Sequence, residues 1–240
     1  MESTIRSNVK SSYGEDYEVT IAAELASYGF TGNSALYDYC LNSIMEKELN
    51  FTYVTDNFDA LKANVEAQSP RTISIITMTV SDAENLTDEE KTKKENIDKE
   101  IKDGSFESAA TAFSDDTTTA PNKGFYGYVD KSDTTLDTNL LDAAIKTEKG
   151  KTSDWVTVVN ESTGTTTLYR VYVNETDVKT LFESEDEDVS SSVLYAFLEH
   201  NANLDLDVID FYASKLKIEF KEEDAKKKID AYINSMKVGE

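Results

Sequence analysis

RTISIITMTV, residues 71–80, is where the chain changes character. Seven of its ten residues are Ile, Thr or Val, so stiff, branched side chains dominate and a pleated strand is the expected form. The Ser69-Pro70 pair ahead of it ends whatever helix precedes, because proline disfavours helical backbone in the residue before it. Upstream, the apolar spacing is helical. Residues 15–29 place Val19, Ala22, Ala23, Leu25 and Ala26 on one face, with Gly29 placed to close the helix. Residues 34–49 do the same with Leu36, Tyr37, Cys40, Leu41 and Ile44, and Cys40 reads as packing on that face. Residues 56–68 form a third helix with Asp56 as its cap and Phe58, Leu61 and Val65 inside.

Downstream, strands and helices alternate. Thr87 stands three residues before Glu90, a capping-box spacing, and the helix it starts runs to about Lys102 and stops at Gly104. A shorter helix over 105–113 carries Phe106, Ala109, Ala110 and Phe113. An acidic, Thr-rich loop leads into GFYGYV, residues 124–129, where two glycines flank two aromatics. Glycine inside a strand marks a bulge or a close backbone approach. Residues 138–147 read as helix, and SDWVTVVN and TTTLYRVYVN flank ESTG as a hairpin with Gly164 in the turn. After ESEDED at 183–188, three helical patterns follow. They are marked by Val193, Leu194, Phe197 and Leu198, by Val208, Ile209, Tyr212 and Leu216, and by Ala225, Ile229, Tyr232, Ile233 and Met236. The expected class is α+β. A sheet domain over 71–177 is inserted between helical segments 1–70 and 178–240, which pack together because neither alone buries a good core.

Composition removes several functions. The net charge of −23, from 47 acids against 24 bases, repels phosphate backbones, so nucleic acid is not an expected partner. One cysteine and one histidine, His200, leave no disulfide within the chain, no zinc cluster and no histidine-based metal site or triad. No metal and no cofactor is expected. No apolar run of about 18 residues spans a membrane. The opening MESTIRSNVK has no apolar core of a signal peptide, a pattern that a chain trimmed of its export signal would also show.

Five pieces of sequence, in register, resemble the parvulin-type peptidyl-prolyl isomerases. They are RTISIITM, KDGSFESAATAFSDD, KGFYGYV, LLDAAIKTEKGKTSDWVTV and TLYRVYVNET. The flanking helices are similar to those of PrsA-type extracellular foldases of Gram-positive bacteria, in which a chaperone domain brackets the parvulin. The resemblance implies an antiparallel parvulin sheet with helices and isomerisation of X–Pro segments in unfolded or partly folded exported proteins. It implies a cell-surface, lipid-anchored location, although no lipobox cysteine is present, and it leaves room for anchoring through a removed N-terminal region and for a homodimer. By position it assigns Asp116, with Asp115 as neighbour, to the substrate carbonyl, and Leu136 and Leu140 to the proline pocket. Phe125 and Tyr126 fall on or near the groove. The two facing histidines of the family fall on Ser74 and Tyr169, and His200 falls outside the domain. With both histidines replaced, two functions stand open: a weak isomerase, or an inactive parvulin-like chaperone that binds unfolded chains.

Overall fold

The computed structural model describes residues 1–216 and 223–236. Its helices are α1 (Glu2–Tyr13), α2 (Tyr17–Ser27), α3 (Ala35–Asp56), α4 (Phe58–Glu66), α5 (Asp88–Asp103), α6 (Phe106–Phe113), α7 (Thr138–Lys146), α8 (Val178–Phe182), α9 (Glu187–His200), α10 (Leu204–Lys215) and α11 (Glu223–Met236). Its strands are β1 (Arg71–Val80), β2 (Phe125–Val129), β3 (Val156–Asn160) and β4 (Thr165–Glu175). The chain divides into two compact units: Phe58–Leu204, and Met1–Asn57 with the described part of Asp205–Glu240.

In the sheet unit, four antiparallel strands lie in the order β2-β1-β4-β3. β1 is central, which explains why its residues are buried on both faces apart from Thr79. On one face Ile76, Met78, Val80 and Leu168 pack with Ile97 of α5 and Phe106, Ala109 and Ala110 of α6. On the other, Ile73, Ile75, Val171 and Val173 pack with Leu140 and Ala144 of α7. The capping box at Thr87 and Glu90 is present, with both reciprocal bonds made. Arg71 closes the far end of α7. Its guanidinium donates to the carbonyls of Ala144 at 2.5 Å and Thr147 at 3.0 Å, two acceptors near the end of the helix that would otherwise go unpaired.

The unit extends beyond the 71–177 read from the sequence. Phe58 of α4, Phe182 of α8 and Phe197 of α9 meet with ring centroids 5.4–5.8 Å apart. α8 also lies against β1 and α9 against β2. Burying three large rings together outweighs the sequence change at Pro70, so the divisions fall at 57/58 and 204/205.

In the helical unit, Ile21 and Leu25 of α2 pack on Ala35, Leu36 and Cys40 of α3, with Ile5 and Val9 of α1 alongside. Cys40 is a packing residue whose thiol pKa is raised by burial. α1 has no counterpart in the sequence reading, because Ile5 and Val9 are its only apolar pair in the packed cluster. Val19 is 72% exposed and does not belong to the buried face. Tyr37, Leu41 and Ile44 are exposed too, since the buried face near the start of α3 is Ala35, Leu36 and Cys40. Asp56 is the last residue of α3 rather than a cap of α4, because nothing in NFTYVT interrupts the helix. Farther along, Tyr53 of α3 meets Phe211 of α10 edge-on at 5.2 Å. Of the last helical pattern, the side chains of Ala225 and Ile233 lie outside the described residues, while Ile229, Tyr232 and Met236 are exposed.

Candidate functional site

The two glycines of GFYGYV have different causes. Gly124 has φ +82°, and a Cβ there would stand 2.6 Å from the Ile75 carbonyl oxygen and 2.8 Å from the Ala110 Cβ. Its own carbonyl accepts from the Ile75 amide at 2.8 Å, so it joins β1 at the closest possible approach. Gly127 has φ +126° with open space where a Cβ would go, so only the backbone conformation asks for glycine. It sits at a bulge: Ile73 pairs with Gly127 but Ser74 pairs with Phe125, leaving Tyr126 unpaired.

The acidic loop separates its two aspartates. Asp115 is tied down: its carboxylate accepts from the Thr79 amide at 2.9 Å and from Lys93 at 2.5 Å. Asp116 accepts from the Thr118 amide at 2.9 Å and lines an open cavity of about 700 Å³. Phe125, Tyr126 and Tyr128 of β2 line the same cavity, as do Asp186, Asp188, Val189 and Ser192 at the start of α9. Of the two loop acids, Asp116 is the one available to a ligand.

The sheet register decides which polar residues meet. Across β1 and β4, Thr77 pairs with Tyr169, while Ser74 pairs with Tyr172. Side chains alternate along a strand, so Ser74 and Tyr169 project from opposite faces. Ser74 is 5% exposed and exchanges hydrogen bonds with the Asn174 amide group at 3.1–3.3 Å. The residue opposite Tyr169 is Thr77, which the sequence reading missed. A three-residue offset within a β-branched run leaves no trace in composition. The Thr77 amide donates to Ser114 Oγ at 3.1 Å, which anchors the acidic loop at this point. Burial raises the pKa of the Tyr169 phenol, and the charges of Asp116 and Asp137 and the neighbouring Tyr126 raise it further. The phenol is therefore neutral and a hydrogen-bond donor at neutral pH.

Leu136 and Tyr169 are partly buried against the α7-side core, in which Leu140 is 3% exposed. Leu140 is thus a core residue with its surface already covered. His200 lies in the sheet unit, not outside it: its Nε2 is 3.9 Å from Asp130 Oδ2. The Tyr128 hydroxyl donates to that same oxygen at 2.8 Å, and its pKa is raised by burial and then by Asp130. Among the described residues no cluster of three or more His, Cys, Asp or Glu is arranged to hold a metal ion.

Residues 75–166, which include Thr77, the acidic loop, β2 and α7, match the Rotamase family, described as the PPIC-type PPIASE domain. The chain carries a parvulin-type peptidyl-prolyl isomerase domain. Among solved structures, the chain is similar to foldase protein PrsA of Streptococcus pneumoniae, at 16% identity and TM-score 0.40, over 93% of this chain and 78% of that one. It is similar to PrsA of Bacillus subtilis at 22% identity and TM-score 0.39, over 93% and 77%. It is also similar to a SurA-like chaperone of Campylobacter jejuni at 15% identity and TM-score 0.33, over 92% and 89%. No curated protein matches the chain in sequence. In this parvulin-type domain, Asp116, Phe125 and Tyr126 share one cavity, and Tyr169 feels the charge of Asp116 from the sheet beside it. Leu140 is buried in the core, and Ser74, as buried as Thr77, lies on the opposite face of the sheet from Tyr169.

Proposed function

We propose that the chain is a foldase whose sheet unit speeds cis–trans isomerisation of X–Pro bonds in unfolded or partly folded exported proteins. The match of residues 75–166 to the PPIC-type domain carries this reading. Uncatalysed rotation faces a barrier of roughly 18–20 kcal/mol and takes tens to hundreds of seconds. No covalent intermediate is required; the site has only to bind the twisted amide better than the planar one. A planar amide places partial negative charge on its carbonyl oxygen through resonance, and twisting withdraws it. A carboxylate held beside that oxygen, the role proposed for Asp116, therefore disfavours the planar form more than the twisted one. Tyr169, neutral and half-buried, supplies a donor, and Thr77 takes the facing position assigned earlier to Ser74. Leu136, Phe125 and Tyr126 supply apolar surface for the proline ring.

The assay is isomerisation of short Xaa-Pro peptides. Wild type is expected to accelerate the reaction, and Asp116→Asn and Tyr169→Phe are each expected to lose about tenfold or more. A folded sample with no acceleration at high concentration overturns the enzymatic reading. A groove of about 410 Å³ in the helical unit, lined by Ile5, Val9, Ile21, Leu25, Tyr28 and Tyr39, favours a second reading in which the chain holds unfolded segments without chemistry. Suppression of client aggregation by an inactive variant would support it. On either reading the protein acts outside the cell at the membrane surface, which protease treatment of intact cells tests. Light scattering tests the homodimer.

A further inference from the structure

β1 is ten residues long and β2 five, so one edge of β1 runs on past its partner. Pairing on that edge ends where the Gly124 carbonyl accepts from the Ile75 amide at 2.8 Å. The Thr77 and Thr79 amides face the same side, because backbone groups alternate along a strand. Thr77 is 6% exposed, and a buried amide left without an acceptor is costly. The acidic loop takes the place of the missing strand. Ser114 Oγ accepts from the Thr77 amide at 3.1 Å, the Asp115 amide donates to the Thr77 carbonyl at 2.9 Å, and Asp115 Oδ2 accepts from the Thr79 amide at 2.9 Å.

The Ser114 hydroxyl does more than complete this edge. The same oxygen accepts from the Asp116 amide at 3.3 Å and stands 3.5 Å from Thr77 Oγ1. A hydroxyl oxygen has two lone pairs, and the two amides take both. Its own proton is therefore directed to Thr77 Oγ1, and the Thr77 hydroxyl keeps a proton to donate. On its other side Asp116 is held by the turn it starts. Its carboxylate accepts from the Thr118 amide at 2.9 Å, and its carbonyl accepts from the Ala120 amide at 3.0 Å. One oxygen thus ties Asp116 to Thr77, the residue across from Tyr169.

We propose that Ser114 is a positioning residue of the isomerase centre, fixing the Asp116 carboxylate relative to Thr77 and Tyr169 before the amide twists. The inference rests on the reading that sets Asp116 beside the substrate carbonyl. Ser114 itself does not line the cavity that Asp116 lines, so it acts through its neighbours. Its effect belongs to the reaction step. A carboxylate displaced by about 1 Å no longer disfavours the planar amide selectively, whereas the apolar surface of Leu136, Phe125 and Tyr126 still holds the proline ring.

The test uses the full chain and a short Xaa-Pro peptide, with kcat and KM read separately and rates counted per folded molecule by circular dichroism. Ser114→Ala is expected to lower kcat about tenfold and to change KM by less than about twofold. Ser114→Thr keeps the hydroxyl and should stay within about threefold of wild type, while Ser114→Val, matched to Thr in shape, should lose as much as Ala. If the Ala variant does not fold, the Thr and Val pair carries the comparison. In the Ala and Val variants the Thr77 and Asp116 amides should exchange faster with solvent. Asp115→Asn keeps an acceptor for Thr79 but loses the ion pair with Lys93, so it should retain kcat. An active wild type whose kcat is unchanged in Ser114→Ala leaves the isomerase standing and overturns this inference. A rise in KM at constant kcat, or a Thr variant no better than Val, does the same. A folded wild type without turnover overturns the isomerase reading and this inference together.

Discussion

At the scale of single residues, the two glycines of β2 separate conformational need from steric need. Gly127→Ala meets open space and pays only for its backbone angle, so the expected loss is about 1–3 kcal/mol. Gly124→Ala pays a similar strain and also drives a methyl into the Ile75 carbonyl and the Ala110 side chain, adding about 1–3 kcal/mol of overpacking. Urea unfolding of the pair checks the order. Leu140 makes a second contrast. A proline-pocket residue would trade substrate affinity for its side chain, whereas Leu140 is 3% exposed in the core. Leu140→Ala is expected to lower stability by about 2–5 kcal/mol, and any lost turnover should follow the unfolded fraction.

At the scale of elements, helix ends and strand ends hold the unit in register. Removing the Thr87 side chain breaks the capping box of α5, and Thr87→Ala should cost about 1 kcal/mol in chemical denaturation. Glu175, at the end of β4, shows how pH acts. Burial pushes its pKa up, but the hydrogen bond from Lys149 and those from the Asp177 and Thr176 amides outweigh this and leave it lowered. A lowered folded value means the carboxylate contributes stability above the unfolded value of about 4.3. That contribution is lost as pH falls through the folded value. Stability measured down an acid series should therefore decline, and Glu175→Gln should flatten part of that decline.

At the scale of the whole molecule, the three-ring cluster of Phe58, Phe182 and Phe197 sets what can fold alone. A fragment spanning 58–204 keeps the cluster, and a fragment spanning 71–177 loses all three rings. The longer fragment is expected to give a cooperative thermal transition and the shorter one a broad transition or none, read by near-ultraviolet dichroism. The net charge of −23 also belongs to this scale. Self-repulsion weakens as salt shortens the range of each charge, so the midpoint of unfolding should rise with ionic strength.

Local sequence was enough to place β1 to the residue, the Thr87 cap, the hairpin around Gly164 and the glycines of β2, because each depends on backbone preference within a few positions. It also carried the parvulin resemblance, since those words lie in order along the chain. It did not reveal which apolar stripe of α2 or α3 is covered, because periodicity marks a face but not what packs on it. Nor did it reveal that Thr77 rather than Ser74 stands opposite Tyr169. The two are three positions apart, an odd number of steps that inverts the face, and only the pairing of β1 with β4 decides which of them stands there. His200 stands 3.9 Å from Asp130 across seventy positions through the packing of α9, not through strand register. The approach of α9 to β2 is a matter of tertiary packing, where contacts distant in the chain are decided by shape and burial.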